Sequence, residues 1–330
     1  MQIPLFKKLH AEGHISDSSL RRVEDLEARR VFSLFWEIRL LLYLGVLLLT
    51  GGLGILVYKN IDTIGHQAVL AFIALVTIGS FYYCLRKKAA FNWGKVDATD
   101  SFSDYILLLG CLSLLIFLAY LQYEYGVFGD HYGLATFIPM LILFVTAYAF
   151  DHLGVLSLAI TNLAAWAGIA ITPLSLLKEG SFADHRLIFT GLLLGGVLLA
   201  AGYLASRRRL KAHFEATYAN FGVHLFFIAA LAGLFTYDSV YLLWFLGLAG
   251  VAYYCYKQAM ERRSFYFVLV IVLYTYIALC YAVLRLMWSI SGNVEMGMLA
   301  LELIYLIGSA FGVARLLIYL NHQLKAHDSL

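Results

Sequence analysis

The stretch FYFVLVIVLYTYIALCYAVLRLMWSISGNVEMGMLALELIYLIGSAFGVARLLIYL, Phe265–Leu320, decides what kind of molecule this is. It holds two apolar runs, each of about 20 residues or more, the length a helix needs to cross a hydrocarbon core. Only helices and closed barrels satisfy their backbone polar groups in lipid. These runs are continuous rather than alternating, so helices fit and a barrel does not. Two charges, Arg285 and Glu302, interrupt the runs. A charge at such depth pairs, loses its charge or faces a wet cavity.

Working outward, the rest of the chain has the same character. Of the 330 residues, 62% are hydrophobic and 14% charged; a soluble domain is about half apolar and about a quarter charged. Ten spans are expected, at about 38–58, 65–85, 104–123, 132–150, 153–174, 187–206, 218–236, 240–257, 265–288 and 296–320. Pro139 and Pro173 fall inside the fourth and fifth. With the N-terminus inside, the cytoplasmic segments carry eighteen of the 24 Lys and Arg residues, from Lys7 to Lys325, and the opposite side three: Lys59, Lys178 and Arg186. This asymmetry supports an even number of spans with both termini in the cytoplasm. It also accounts for the net charge of +3 without nucleic acid.

Residues 1–36 read as a cytoplasmic leader of two short helices, turning at Gly13 and restarting after Ser16. Residues 37–330 read as one membrane domain, since no loop is long enough for a soluble one; the longest cytoplasmic loop is about 86–103. The first long apolar run begins near Ile38, too far in for a cleaved leader. Cys84, Cys111, Cys255 and Cys280 lie in apolar runs without metal or disulfide spacing and read as small buried hydrophobes. Tyr43-Leu44-Gly45-Val46 and Asn220-Phe221-Gly222-Val223, followed by Tyr82-Tyr83-Cys84 and Tyr253-Tyr254-Cys255, suggest a parallel four-helix repeat, spans one to four and seven to ten.

Three stretches carry a family resemblance: Leu9 to Ser16 in the leader, Leu40-Leu41-Leu42-Tyr43-Leu44-Gly45 opening the first span, and Gln122 to Asp130. They resemble a prokaryotic family of predicted multi-pass membrane proteins of unknown function, DUF2157. The likeness is strongest over residues 1 to about 170. Ala11 and Glu12 stand where the family usually has an aromatic. The resemblance implies a multi-pass protein of the bacterial inner membrane and carries no activity or catalytic residue with it.

The candidate binding residues are Arg285, Glu302, Tyr305, Ser309 and His224, around a polar site between spans seven, nine and ten. Glu302, Tyr305, Ser309 and Gly312 recur at helical spacing on one face, and Gly308 and Gly312 form a small-xxx-small pair suited to close helix contact. Either Arg285 and Glu302 face a ligand, or they tie spans nine and ten together. Glu37, Arg39 and Arg315 suggest a second layer of ion pairs near the inner face. No catalytic residue, metal site or cofactor is expected, as no phosphate loop, HExxH or plausible GxSxG is present. Gly191, Gly195 and Gly196 read as packing. Three functions remain open. The first is a transport-like or lipid- or small-molecule-binding bundle. The second is a non-catalytic subunit that engages a membrane-protein partner through the leader and the 86–103 loop. The third is a lipid enzyme that uses Asp130-His131 and Asp184-His185 on the outside; Asp151-His152 lies inside.

Overall fold

The computed structural model describes residues 6, 9–28, 35–96, 101–129, 132–168, 185–291 and 296–326. Among them there is no strand, and the protein is an all-α polytopic membrane bundle. A surface helix, α1 (Asp17–Ala28), is followed by ten apolar helices. These are α2 (Phe35–Ile64), α3 (His66–Lys87), α4 (Ser101–Tyr125), α5 (Tyr132–Phe150) and α6 (Leu153–Trp166), then α7 (His185–Arg207), α8 (Glu215–Thr236), α9 (Tyr241–Glu261), α10 (Phe265–Ser291) and α11 (Met296–Ala326). Each falls on one of the ten expected spans, although α6 ends at Trp166, short of the expected 174. Eight helices are long and apolar enough to cross a bilayer; the other two apolar stretches, Leu40–Gly52 and Leu153–Trp166, are shorter within the described residues. Pro173 lies outside them, whereas Pro139 is buried inside α5.

The chain divides into two compact units, Met1–Val69 and Leu70–Leu330. In the first, the expected turn of the leader is present. Gly13 has φ of +77°, and the N–H groups of Gly13 and His14 donate to the carbonyls of His10 and Leu9 at 3.0 and 2.9 Å. That pair of bonds closes a helix end on a left-handed residue, a conformation glycine adopts without penalty. The Ser16 hydroxyl then accepts from the Ser19 N–H at 3.3 Å and opens α1. The His10 imidazole and the Asp17 carboxylate, 2.6 Å apart, tie the two sides of the turn together.

In the second unit the helices pack through small residues, because apolar side chains gain little from leaving lipid for protein. The closest approach is between α7 and α8. A Cβ placed on Gly195 would lie 2.7 Å from the Phe226 backbone nitrogen, one on Gly191 2.8 Å from the Ala229 Cβ, and one on Gly222 3.0 Å from the Leu199 nitrogen. Gly191 and Gly195 are therefore packing residues, as read from the sequence, while Gly196 has open space beside it. This pair joins spans six and seven, across the boundary where the suggested second repeat would begin. Two apolar cores flank it. One runs through Leu143, Ala147, Leu156, Ile160, Leu198 and Phe214, the other through Phe227, Leu234, Val268, Ile271 and Ala278. Cys84, Cys111 and Cys255 are buried free thiols.

Contacts at the helix ends show the chain alternating direction. The loop after α3, the α5–α6 turn and the α7–α8 turn meet at one end, through Val96, Asp151 and Lys211. There too, the end of α9 meets the start of α8 in an ion pair between Arg262 and Glu215. At the other end, His185 at the start of α7 meets Tyr237 after α8 at 2.7 Å, and Asp238 before α9 meets Tyr281 and Arg285 late in α10. The first is called the basic end below, since it carries Arg86, Lys87, Lys88, Arg207–Arg209, Arg262 and Arg263.

Candidate functional site

The sequence-derived residues are distributed over three places. Arg285 pairs with Asp238, Nη2 to Oδ2 at 3.2 Å, with side chains 41% and 55% exposed. It does not pair with Glu302. The second carboxylate oxygen of Asp238 accepts from the Tyr281 hydroxyl at 2.8 Å, so Asp238 ties α9 to α10. Glu302 instead accepts a hydrogen bond from the Trp288 indole N–H, which ties α11 to α10. The two charges thus act at the same end of the bundle through different partners.

Ser309 reaches the Tyr276 hydroxyl at 3.0 Å, a second α10–α11 tie. The Tyr305 hydroxyl is buried beside the Cys280 thiol. His224 lies on α8 and faces α10. Tyr266 donates to the Asn220 side-chain oxygen at 2.6 Å, so its own oxygen accepts from His224 Nε2 at 2.9 Å. The other ring nitrogen, Nδ1, then accepts from the Tyr274 hydroxyl at 2.8 Å. One tautomer of a neutral imidazole satisfies every atom of this chain.

Between α9, α10 and α11 the helices part. The cleft has a volume of about 320 Å³ and an almost wholly apolar lining, which includes Ala252, Tyr256, Ile271, Tyr276, Val313 and Leu316. Leu279 and Leu316 at its edge are 42% and 45% exposed. The void therefore lies between spans eight, nine and ten, not seven, nine and ten. Span seven turns His224 and Asn220 to the tyrosines of span nine, and none of its residues lines the cleft. Ser309 touches the cleft through Tyr276. Arg285 lies six residues beyond Leu279, about 9 Å along the axis. α11 is the least enclosed wall, with only 6% of its apolar window buried.

At the basic end the structure assembles a cluster that sequence reading did not single out. Lys211 and Asp151 have side chains only 1% and 3% exposed, with Nζ and Oδ2 3.1 Å apart. Lys211 Nζ also donates to the Gly94 carbonyl at 3.1 Å and lies 5.4 Å from the centre of the Phe91 ring. Its backbone N–H donates to the Trp93 carbonyl at 2.9 Å. Asp151 Oδ2 accepts the Val96 N–H at 2.6 Å, and Oδ1 meets His213 Nε2 at 2.5 Å. Both partners have positive φ, 59° for Asp151 and 51° for Lys211, a region that costs a lysine about 1–2 kcal/mol. His152 opens α6, its Nδ1 accepting the Val155 N–H at 3.1 Å. The signal available in sequence was the apolar interleaving after the arginine run, Leu210-Lys211-Ala212-His213-Phe214, which marks a turn that dips into the core.

Of the external Asp-His residues, Asp130, His131 and Asp184 lie outside the described residues, and His185 is engaged by Tyr237. The side chains of Glu37 and Arg39 also lie outside them. Among the described residues no cluster has the ligands for a metal ion.

Residues 7–156 match the model of a family described as a predicted membrane protein, DUF2157. All three stretches that carried the resemblance fall within that range. No curated protein and no solved structure matches the chain.

Proposed function

We propose that this multi-pass membrane protein binds an amphiphile drawn from the lipid phase, with its apolar body in the cleft between α9, α10 and α11. The observation that carries the reading is the cleft itself: an apolar void of about 320 Å³ between three apolar helices. Sites for small molecules have this size and lining, with a few polar groups to fix orientation. Tyr276 and Ser309 supply such groups at the cleft wall. Arg285, Glu302 and Tyr305, further along the same two helices, are assigned to the polar head. The small buried fraction of α11 makes this helix the wall that yields on entry. The eighteen-to-three distribution of basic residues supports a basic end in the cytoplasm.

The test is photolabelling in nanodiscs with a diazirine fatty acid. Label is expected in the peptides spanning 249–256 and 313–316. Leu316→Trp, which fills the mouth at a position already 45% exposed, is expected to cut labelling there at least tenfold without lowering thermal stability. Label spread evenly over all lipid-facing helices, or undiminished in Leu316→Trp, would contradict the reading.

A further inference from the structure

A second cavity opens at the basic end, on other helices. It measures about 50 Å³, with Lys87 and Lys88 at the end of α3, Ser103 and Asp104 at the start of α4, and Asp151 and Lys211 among its lining residues. A water needs roughly 10–15 Å³ of such space, so the cavity holds a few waters or the outer oxygens of one phosphate group.

Its charge balance favours an anion. Lys211 and Asp151 engage each other, which leaves Lys87 and Lys88 against Asp104 among the lining residues. Lys87 and Lys88 stand 4.8 and 5.2 Å from the ring centres of Tyr83 and Phe150. Such contacts help to orient an ammonium. The wall is also built in advance, since Lys211 fixes the loop through the carbonyls of Trp93 and Gly94. Less ordering is then left for binding to bring about.

The level of the cavity points to the source of the anion. Tyr82 and Leu85, in the last turns of α3, are 59% and 60% exposed on a lipid-crossing helix. Phe91 and Trp93 pack edge to face at 5.0 Å and are each about half exposed. Aromatic side chains of this kind gather where hydrocarbon meets headgroups. We propose that this cavity binds the phosphate of an anionic phospholipid, with Lys87 and Lys88 as its principal contacts. Basic pockets between spans at a cytoplasmic surface take such headgroups. The cleft of the proposed function shares no residue with this site, so either can fail alone.

The experiment uses the full chain in nanodiscs of phosphatidylcholine doped with phosphatidylglycerol, and counts retained lipids by native mass spectrometry. The expected result is preferential retention of phosphatidylglycerol, reduced roughly 10- to 30-fold in the double variant Lys87→Gln, Lys88→Gln, at about a kcal/mol per lost charge. The double variant Arg207→Gln, Arg208→Gln removes equal charge from exposed positions of the same end and is expected to leave retention within about twofold. Equal loss in both variants would show a diffuse surface effect and overturn the site. Equal retention of the two lipids would overturn it as well. Inorganic phosphate competing as well as the lipid would overturn the lipid source in favour of a free anion.

Discussion

Lys211→Met is expected to destabilise the protein by about 3–5 kcal/mol, the cost of leaving one member of a buried ion pair without the other. The side chains of Lys211 and Asp151 are 1% and 3% exposed, so bulk solvent replaces little of the lost partner. The substitution removes the ammonium from Asp151 Oδ2 and from the Gly94 carbonyl, which lies 117 residues away in sequence. It leaves the unusual backbone at this position, φ 51°, held by its own hydrogen bonds to Trp93 and Phe214 alone. Three loops lose their common anchor together: 93–96, 151–152 and 209–214. Thermal unfolding in detergent reads the stability, and protease cleavage within 88–96 reads the release of the loop. The double variant Asp151→Asn, Lys211→Met no longer buries a lone charge and is expected to lose clearly less than the sum of the two single changes. Strict additivity would mean that the two groups do not interact.

Gly195→Val is the second large effect. Its Cβ would meet the Phe226 nitrogen, Cα and Cβ at 2.7, 2.8 and 2.8 Å. Two of these are backbone atoms, so no rotamer change makes room, and α7 must move off α8. Overpacking a well-packed contact costs about 1–3 kcal/mol where side chains can adjust, and this one falls at or above the top of that range. The neighbouring residue is an internal control. Gly196 has nothing within 4 Å of a built Cβ, and Gly196→Ala is expected to be neutral or to gain up to about 1 kcal/mol from helix propensity. Melting temperatures of the two variants measured side by side check this. Equal losses would mean that α7 does not present Gly195 to α8.

The architecture was legible because lipid imposes it. Apolar runs of about 20 residues have one solution, and each of the ten holds a helix, eight of them long and apolar enough to cross a bilayer. Local backbone chemistry was legible too, as at Gly13 and Ser16. Gly191 and Gly195 were readable as packing because helices in lipid approach through small residues. What failed was pairing across distance. Arg285 was weighed against Glu302 because they occupy neighbouring spans. Asp238, forty-seven positions earlier in sequence, wins because the turn before α9 returns to the same end as the last turns of α10. Lys211 was counted as one of eighteen topological charges. Nothing local shows that it folds under the 86–96 loop, since its partners come from two other turns. The cleft was equally hidden, as a void depends on how three helices diverge, which no single helix's periodicity encodes.

The alternation of helix ends underlies both proposed sites, and cysteine labelling in sealed, oriented membranes tests it most directly. On a background lacking the four native cysteines, Lys95→Cys, Arg208→Cys and Arg263→Cys are expected to react with an impermeant maleimide from one face only. Ser239→Cys, exposed beside Asp238, is expected to react only from the other. Labelling of Arg263→Cys and Ser239→Cys from the same face would contradict the threading, and with it the separation of a basic end from the end that holds Arg285 and Glu302.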